Sequence, residues 1–152
     1  MASFLRSPIR APPGRHILQR KTRNTMAKLL ICDDSLFQRR KLKHLFEEQG
    51  HEVTVAEDGE DALQKVESAT PDLLLCDLLM PTLDGFGVLE RLQAAGSTLP
   101  VIVVSADVQH STVTRVRELG AKGFLNKPAD PAKLIEAVNT LLQRMPACAE
   151  TN

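Results

Sequence analysis

Two adjacent carboxylates at Asp33 and Asp34, a third at Asp77, a hydroxyl at Ser105 and an ammonium at Lys127 could together do chemistry in this 152-residue chain. Each stands at the end of a short apolar run. Leu29–Cys32 precedes Asp33-Asp34, Leu73–Cys76 precedes Asp77, Val101–Val104 precedes Ser105, and Phe124-Leu125 precedes Lys127-Pro128. Runs of this length, bounded by polar or turn-forming residues, predict buried strands. In a parallel sheet the carboxyl ends of all strands share one edge, so these groups converge there. Clustered carboxylates repel one another, and a divalent cation relieves that repulsion. Mg²⁺ is a hard ion that takes oxygen ligands and keeps several waters. Beside it, a carboxylate can attack phosphorus and form an acyl phosphate. The metal and a lysine offset charge on the phosphoryl oxygens, and a serine hydroxyl can hydrogen-bond one of them. Taken singly, Asp34 or Ser35 is a helix cap, Asp77 a turn residue, Ser105 a loop residue and Lys127 a solvated charge. Their recurrence at successive strand ends points beyond those roles.

The elements that must position these groups follow from periodicity. Strands are predicted at Lys28–Cys32, Glu52–Ala56, Asp72–Asp77, Pro100–Val104 and Lys122–Leu125. Helices are predicted over 35–49, from Asp58 or Gly59 to about Ala69, over Phe86–Ala95, over 108–119 and over Pro131–Arg144. Gly50, Gly96 and Gly120 act as stop signals, Asp130 as an N-cap, and Met80–Gly85 as a loop. The last helix should bury Leu134, Ile135, Val138, Leu141 and Leu142. Five strand–helix units with short connections imply an α/β doubly wound fold, a flavodoxin-like (βα)5 with a five-stranded parallel sheet. The order expected is 2-1-3-4-5, with a ligand crevice outside the ends of strands 1 and 3, where Asp33, Asp34 and Asp77 lie.

Composition bounds the rest. Hydrophobic residues make up 43% of the chain and aromatics 3%, with no Trp or Tyr, so the core must be aliphatic. Net charge is zero, but residues 1–25 hold six of the 19 Lys and Arg and no acid; the remainder, 13 basic against 19 acidic, carries −6. That arm contains Pro8, Pro12, Pro13 and Gly14 and reads as a disordered basic extension, with Met26 as an alternative start. Its Arg-rich character also resembles a transit peptide or an acidic-partner contact. Residues 26–145 form the folded domain and 146–152 a flexible tail containing Cys148. Cys32 and Cys76 end apolar strands and read as buried free thiols in a reducing, cytoplasmic compartment; a disulfide between them is the lesser reading. No apolar run reaches the roughly 20 residues that span a membrane.

The segments Ile-Cys-Asp-Asp-Ser at 31–35, Asp-Leu-Leu-Met-Pro-Thr-Leu-Asp-Gly at 77–85, Val-Val-Ser-Ala at 103–106 and Gly-Ala-Lys-Gly-Phe-Leu-Asn-Lys-Pro at 120–128 closely resemble the receiver domain of bacterial two-component response regulators, above all the stand-alone, chemotaxis-type receivers. The resemblance covers about residues 27–143. It implies that Asp77 accepts a phosphoryl group from a sensor histidine kinase or a histidine phosphotransfer protein. It implies that Asp33, Asp34, Asp77 and the backbone carbonyl of Leu79 bind Mg²⁺, with Mn²⁺ as an alternative ion. Ser105 would be the switch hydroxyl, Phe124 the switch aromatic and Lys127 the phosphate-contacting lysine, with a cis bond before Pro128. Leu79 and Asp107 depart from the best-studied chemotaxis receivers and should flank the approach to the phosphoryl group.

No output module follows the last helix in this sequence, so signalling is expected through protein contact, as a monomer or weak dimer, without direct DNA or membrane binding. The fourth helix, fifth strand and fifth helix would offer the contact face, with Val113, Arg117, Phe124 and Asn126 as candidates. A phosphorelay shuttle or phosphate sink is the alternative role. A rival of another class is a Mg²⁺-dependent aspartyl phosphohydrolase. Such enzymes resemble one another in a second Asp two residues after the nucleophile, where this chain has Leu79, which cannot transfer protons. The chain is accordingly read as a phospho-accepting signalling domain that catalyses only its own phosphotransfer and dephosphorylation.

Overall fold

A computed structural model describes residues 26–144. The expected basic extension and the tail with Cys148 lie outside the described residues. Five strands alternate with five helices: β1 Lys28–Cys32, α1 Leu36–Glu48, β2 Glu52–Ala56, α2 Gly59–Ala69, β3 Leu73–Cys76, α3 Gly85–Ala94, β4 Val101–Ser105, α4 His110–Glu118, β5 Gly123–Asn126 and α5 Pro131–Arg144. All strands are parallel, in the order β2-β1-β3-β4-β5. The expected doubly wound α/β fold is therefore the one observed.

Strand periodicity divides the core in two. Leu30, Cys32, Leu74, Cys76, Val101 and Val103 face one layer, joined by Ala62 of α2, Val88, Leu89 and Leu92 of α3, and Val116 of α4. Leu29, Ile31, Leu73, Leu75, Ile102 and Val104 face the other, joined by Leu42 and Phe46 of α1 and Leu134 and Val138 of α5. Right-handed crossovers explain the partition. The chain winds outward from β1 to β2, then returns past β1 to β3, so α1 lands on the face opposite α2, α3 and α4. The reversal leaves a crevice at the carboxyl ends of β1 and β3. Among the described residues, no helix is long and apolar enough to cross a membrane.

Local signals set the helix starts. Ser35 Oγ accepts the Gln38 N–H at 3.2 Å, Asp58 accepts that of Asp61 at 2.8 Å, and Asp84 that of Gly87 at 2.9 Å. Asp130 accepts the Ala132 N–H at 3.0 Å at the start of α5. Gly85, expected in the loop, is instead the first residue of α3. A methyl group there would collide with the Asp77 carbonyl and the Leu78 backbone. Gly59 plays the same part for α2, whose first residue lies against the Leu83 carbonyl and donates to it at 3.1 Å. Both helices therefore press directly on the segment following β3.

Gly85→Ala should cost about 2 kcal/mol or more of unfolding free energy in urea, since backbone atoms on the opposing side cannot rotate away. A second expectation concerns His51, which is buried against Phe46 and accepts the Ala27 N–H at Nδ1, 3.1 Å away. Burial lowers its pKa. The unfolded chain therefore binds this proton first, so the stability contribution is present above the ordinary value of about 6.5 and is lost as pH falls from there through the lowered value of the folded state. The urea midpoint should fall between pH 7.5 and 5.5 more steeply in the native chain than in His51→Gln; equal slopes would rule this out.

Candidate functional site

The carboxyl edge of the sheet assembles the titratable groups. Asp33 follows β1 directly and Asp77 follows β3, and the two strands are neighbours with Cys32 opposite Cys76. Both carboxylates are buried, at 3% and 8% exposure, whereas Asp34 is exposed. Lys127 follows β5 and reaches across the edge. Its Nζ donates to Asp33 Oδ2 and to Asp77 Oδ2, each at 3.0 Å. The remaining oxygens also have donors: Asp33 Oδ1 accepts the Ser35 N–H at 2.9 Å, and Asp77 Oδ1 accepts the Leu78 N–H at 2.7 Å. The Asp77 N–H is anchored on the Cys32 carbonyl at 3.0 Å, tying the two strand ends together. Arg39 of α1 donates to the Asp33 carbonyl at 2.8 Å, fixing the turn from the helix side.

Burial pushes the Asp77 carboxyl above its usual range; the Lys127 hydrogen bond and charge oppose that rise, and the Asp33 charge adds to it. For Lys127, burial disfavours the ammonium, but hydrogen bonds to Asp33 and Asp77 and their charges more than offset this and leave it above the ordinary lysine value. The cluster is thus a buried ion triad held together by its own opposite charges.

Asp33, Asp34 and Asp77 each offer an oxygen within 4.8 Å of the others. An all-carboxylate, all-oxygen donor set with one open, exposed member fits a hard divalent cation such as Mg²⁺ that keeps part of its water shell. Ser105 is the last residue of β4, buried at 1% exposure, and its Oγ accepts the Asp107 N–H at 3.0 Å. Its backbone carbonyl accepts the Lys127 N–H at 2.9 Å, so β4 and β5 deliver Ser105 and Lys127 as a pair. The Lys127-Pro128 peptide is cis. Phe124 lies mid-strand in β5 opposite Val103, half-buried against the α2–α4 layer. Leu79 stands two residues past Asp77 with its side chain 69% exposed.

Two features add to the sequence reading. Asp107 does not present its carboxylate freely: Oδ1 accepts the Gln109 N–H at 3.0 Å and Oδ2 the Thr112 hydroxyl at 2.9 Å. Asp107 and Thr112 are five residues apart, and no simple spacing rule marks such a pair. The second is the dependence of Asp77 on Gly85, whose sequence signal was an Asp-Gly pair just ahead of a helical apolar pattern. Cys32 and Cys76 are free and buried. The Cys76 thiol is held well above its usual pKa by its hydrogen bond with Cys32 and by burial, which keeps it unreactive.

Comparison with known proteins agrees with this geometry. Residues 29–139 match the family model described as the response regulator receiver domain. Protein PilH of Pseudomonas aeruginosa is 36% identical over 119 residues, covering 77% of this chain and 98% of PilH. Among solved structures, the Francisella response regulator 1452 receiver domain superposes with a TM-score of 0.75 at 34% identity, covering 78% of this chain and 98% of that one. The CheX–CheY–BeF3–Mg²⁺ complex of Borrelia burgdorferi contains a chain that superposes with a TM-score of 0.73 at 31% identity, covering 76% of this chain and 89% of that one. Fold, acidic pocket and sequence match converge, and the chain belongs to the response regulator receiver domain family.

Proposed function

We propose that Asp77 accepts a phosphoryl group from a phosphohistidine on a sensor kinase or phosphotransfer protein in the cytoplasm, and that the phosphorylated chain signals by protein contact. The observation that carries this reading is the ion triad, in which one lysine ammonium bonds both Asp33 and Asp77 at 3.0 Å beside the open carboxylate of Asp34. An oxygen of ionised Asp77 attacks phosphorus. The P–O bond forms as the P–N bond breaks, and the electron pair leaves with the donor as a neutral imidazole whose other ring nitrogen already carries its proton. Lys127 helps keep Asp77 ionised before transfer and meets the added charge afterwards. Asp33, Asp34, Asp77 and the Leu79 carbonyl would hold the Mg²⁺ or Mn²⁺, which when bound supplies further positive charge to the phosphoryl oxygens.

A protein donor suits the surroundings. Leu36 and Phe37 open α1, while Leu79 and Val108 lie in the loops after β3 and β4, and all four are exposed large hydrophobics on the carboxyl edge. Exposed apolar side chains on the same edge as a charged pocket favour a protein surface over a small metabolite.

The new group adds about −1.5 to −2 charge. The Ser105 hydroxyl would turn to bond it, and Phe124 would repack as the 105–107 segment follows. The face of α4, β5 and α5 would carry the change outward, with Val113 and Phe124 half-buried and Arg117 and Asn126 exposed. Phosphorylation in this reading shifts a pre-existing equilibrium between two arrangements.

Asp77→Asn should abolish the mass gain of one phosphate seen on incubation with acetyl phosphate and Mg²⁺; undiminished labelling would exclude Asp77 as the acceptor. Independently, Mg²⁺ should raise the thermal midpoint of the native chain by relieving carboxylate repulsion. Asp34→Asn should weaken Mg²⁺ binding by roughly tenfold or more, because affinity follows ligand charge. An unchanged affinity would remove Asp34 from the site.

A further inference from the structure

We infer that Asp107 and Thr112 form a latch that holds the Ser105 hydroxyl in its resting orientation and so sets how readily the phosphorylated arrangement forms. The inference rests on the reading of Asp77 as phosphoacceptor, but the latch itself consists of contacts already in place. The Ser105 Oγ accepts the Asp107 N–H at 3.0 Å. Two residues further on, Gln109 occupies the N-cap position of α4 and makes no side-chain capping bond. Asp107 supplies the missing cap from upstream. Its carboxylate accepts the Gln109 N–H at 3.0 Å and the Thr112 hydroxyl at 2.9 Å. Asp107 is therefore fastened at both ends, by its backbone to the switch hydroxyl and by its side chain to the first turn of α4.

The consequence is mechanical. For Ser105 to turn toward a phosphoryl group on Asp77, either the Asp107 N–H loses its acceptor or residues 105–107 move with the hydroxyl. The second route draws the Asp107 carboxylate away from Thr112. Thr112 is 8% exposed, so a hydroxyl stripped of its acceptor there is left largely out of reach of water. A hydrogen bond to a carboxylate is also the stronger kind. The latch thus favours the resting arrangement. Coupling between two such states is reciprocal: weakening the latch must strengthen binding of a phosphoryl group by the factor by which the resting arrangement was favoured. Thr112 is on this view a positioning residue that touches neither metal nor phosphoryl group.

Beryllofluoride with Mg²⁺, titrated into the full chain, tests this. With no Trp or Tyr present, ¹⁹F NMR or calorimetry provides the readout. Thr112→Val keeps the shape of the side chain and removes the donor. It should bind beryllofluoride about five- to tenfold tighter, whereas Thr112→Ser, which keeps the hydroxyl, should stay within about twofold of the native chain. A merely structural threonine would lower the urea midpoint of Thr112→Val with no gain in affinity, and that result overturns the latch. Should Thr112→Val fail to fold, Asp107→Ala releases the latch from its other side and carries the same expectation. If the native chain takes up no beryllofluoride, the phosphoacceptor reading is what fails, and the latch falls with it. Native binding with no tightening in either variant refutes the latch alone.

Discussion

Two buried carboxylates, Asp33 and Asp77, stand at the ends of adjacent strands, and the Lys127 ammonium between them makes that arrangement tolerable. Like charges brought this close out of water would otherwise protonate or force the strands apart. The dependence runs outward from this contact. Lys127 reaches both acids from β5, across the end of β4, where its backbone N–H is bonded to the Ser105 carbonyl. Asp77 stays in place because its N–H bonds Cys32 and because α3 begins on a glycine that presses on the Asp77 carbonyl. The same constraint gives the site its chemistry. An ion triad satisfied internally at rest can exchange partners when a cation and a phosphoryl group arrive, with little new structure to build.

The elements differ in how firmly they are held, and the pattern suits a switch. β1, β3 and β4 are buried along most or all of their length. Helix α4 buries only Thr112 and Val116. Its other ties are polar or partly exposed: Arg115 stacks on Phe86 at 4.2 Å and pairs with Glu90 at 3.2 Å, both on α3, and Asp107 holds its first turn. Segments with few buried apolar contacts open at lower cost than core strands. Under the proposed switch, motion at Ser105 would have a lightly held helix to act on, next to a sheet that keeps Asp33 and Asp77 in register.

Much of this was legible in the sequence for a physical reason. Strands buried on both faces must be apolar throughout, so polar residues mark their ends, and in a parallel sheet those ends are where sites form. Asp33, Asp77, Ser105 and Lys127 each interrupt such a run. The winding order was legible only by analogy with common doubly wound sheets. What stayed hidden depends on pairwise geometry between loops. Gly85 reads as a turn residue by type, but its importance lies in the carbonyl it faces across the chain. Asp107 reads only as an acid flanking the approach to the site until its two acceptor bonds to the start of α4 are seen. The Arg115–Phe86 contact joins helices whose mutual orientation no periodicity reports.

The central claim is that Asp77, and neither of its acidic neighbours, carries the phosphoryl group. Borohydride reduction of the acetyl phosphate-treated chain, followed by peptide mapping, reads this directly, because an aspartyl phosphate is reduced to homoserine. Homoserine at position 77 alone is the result expected. Homoserine at position 33 or 34, or at none of the three when the intact chain has gained phosphate, would contradict it.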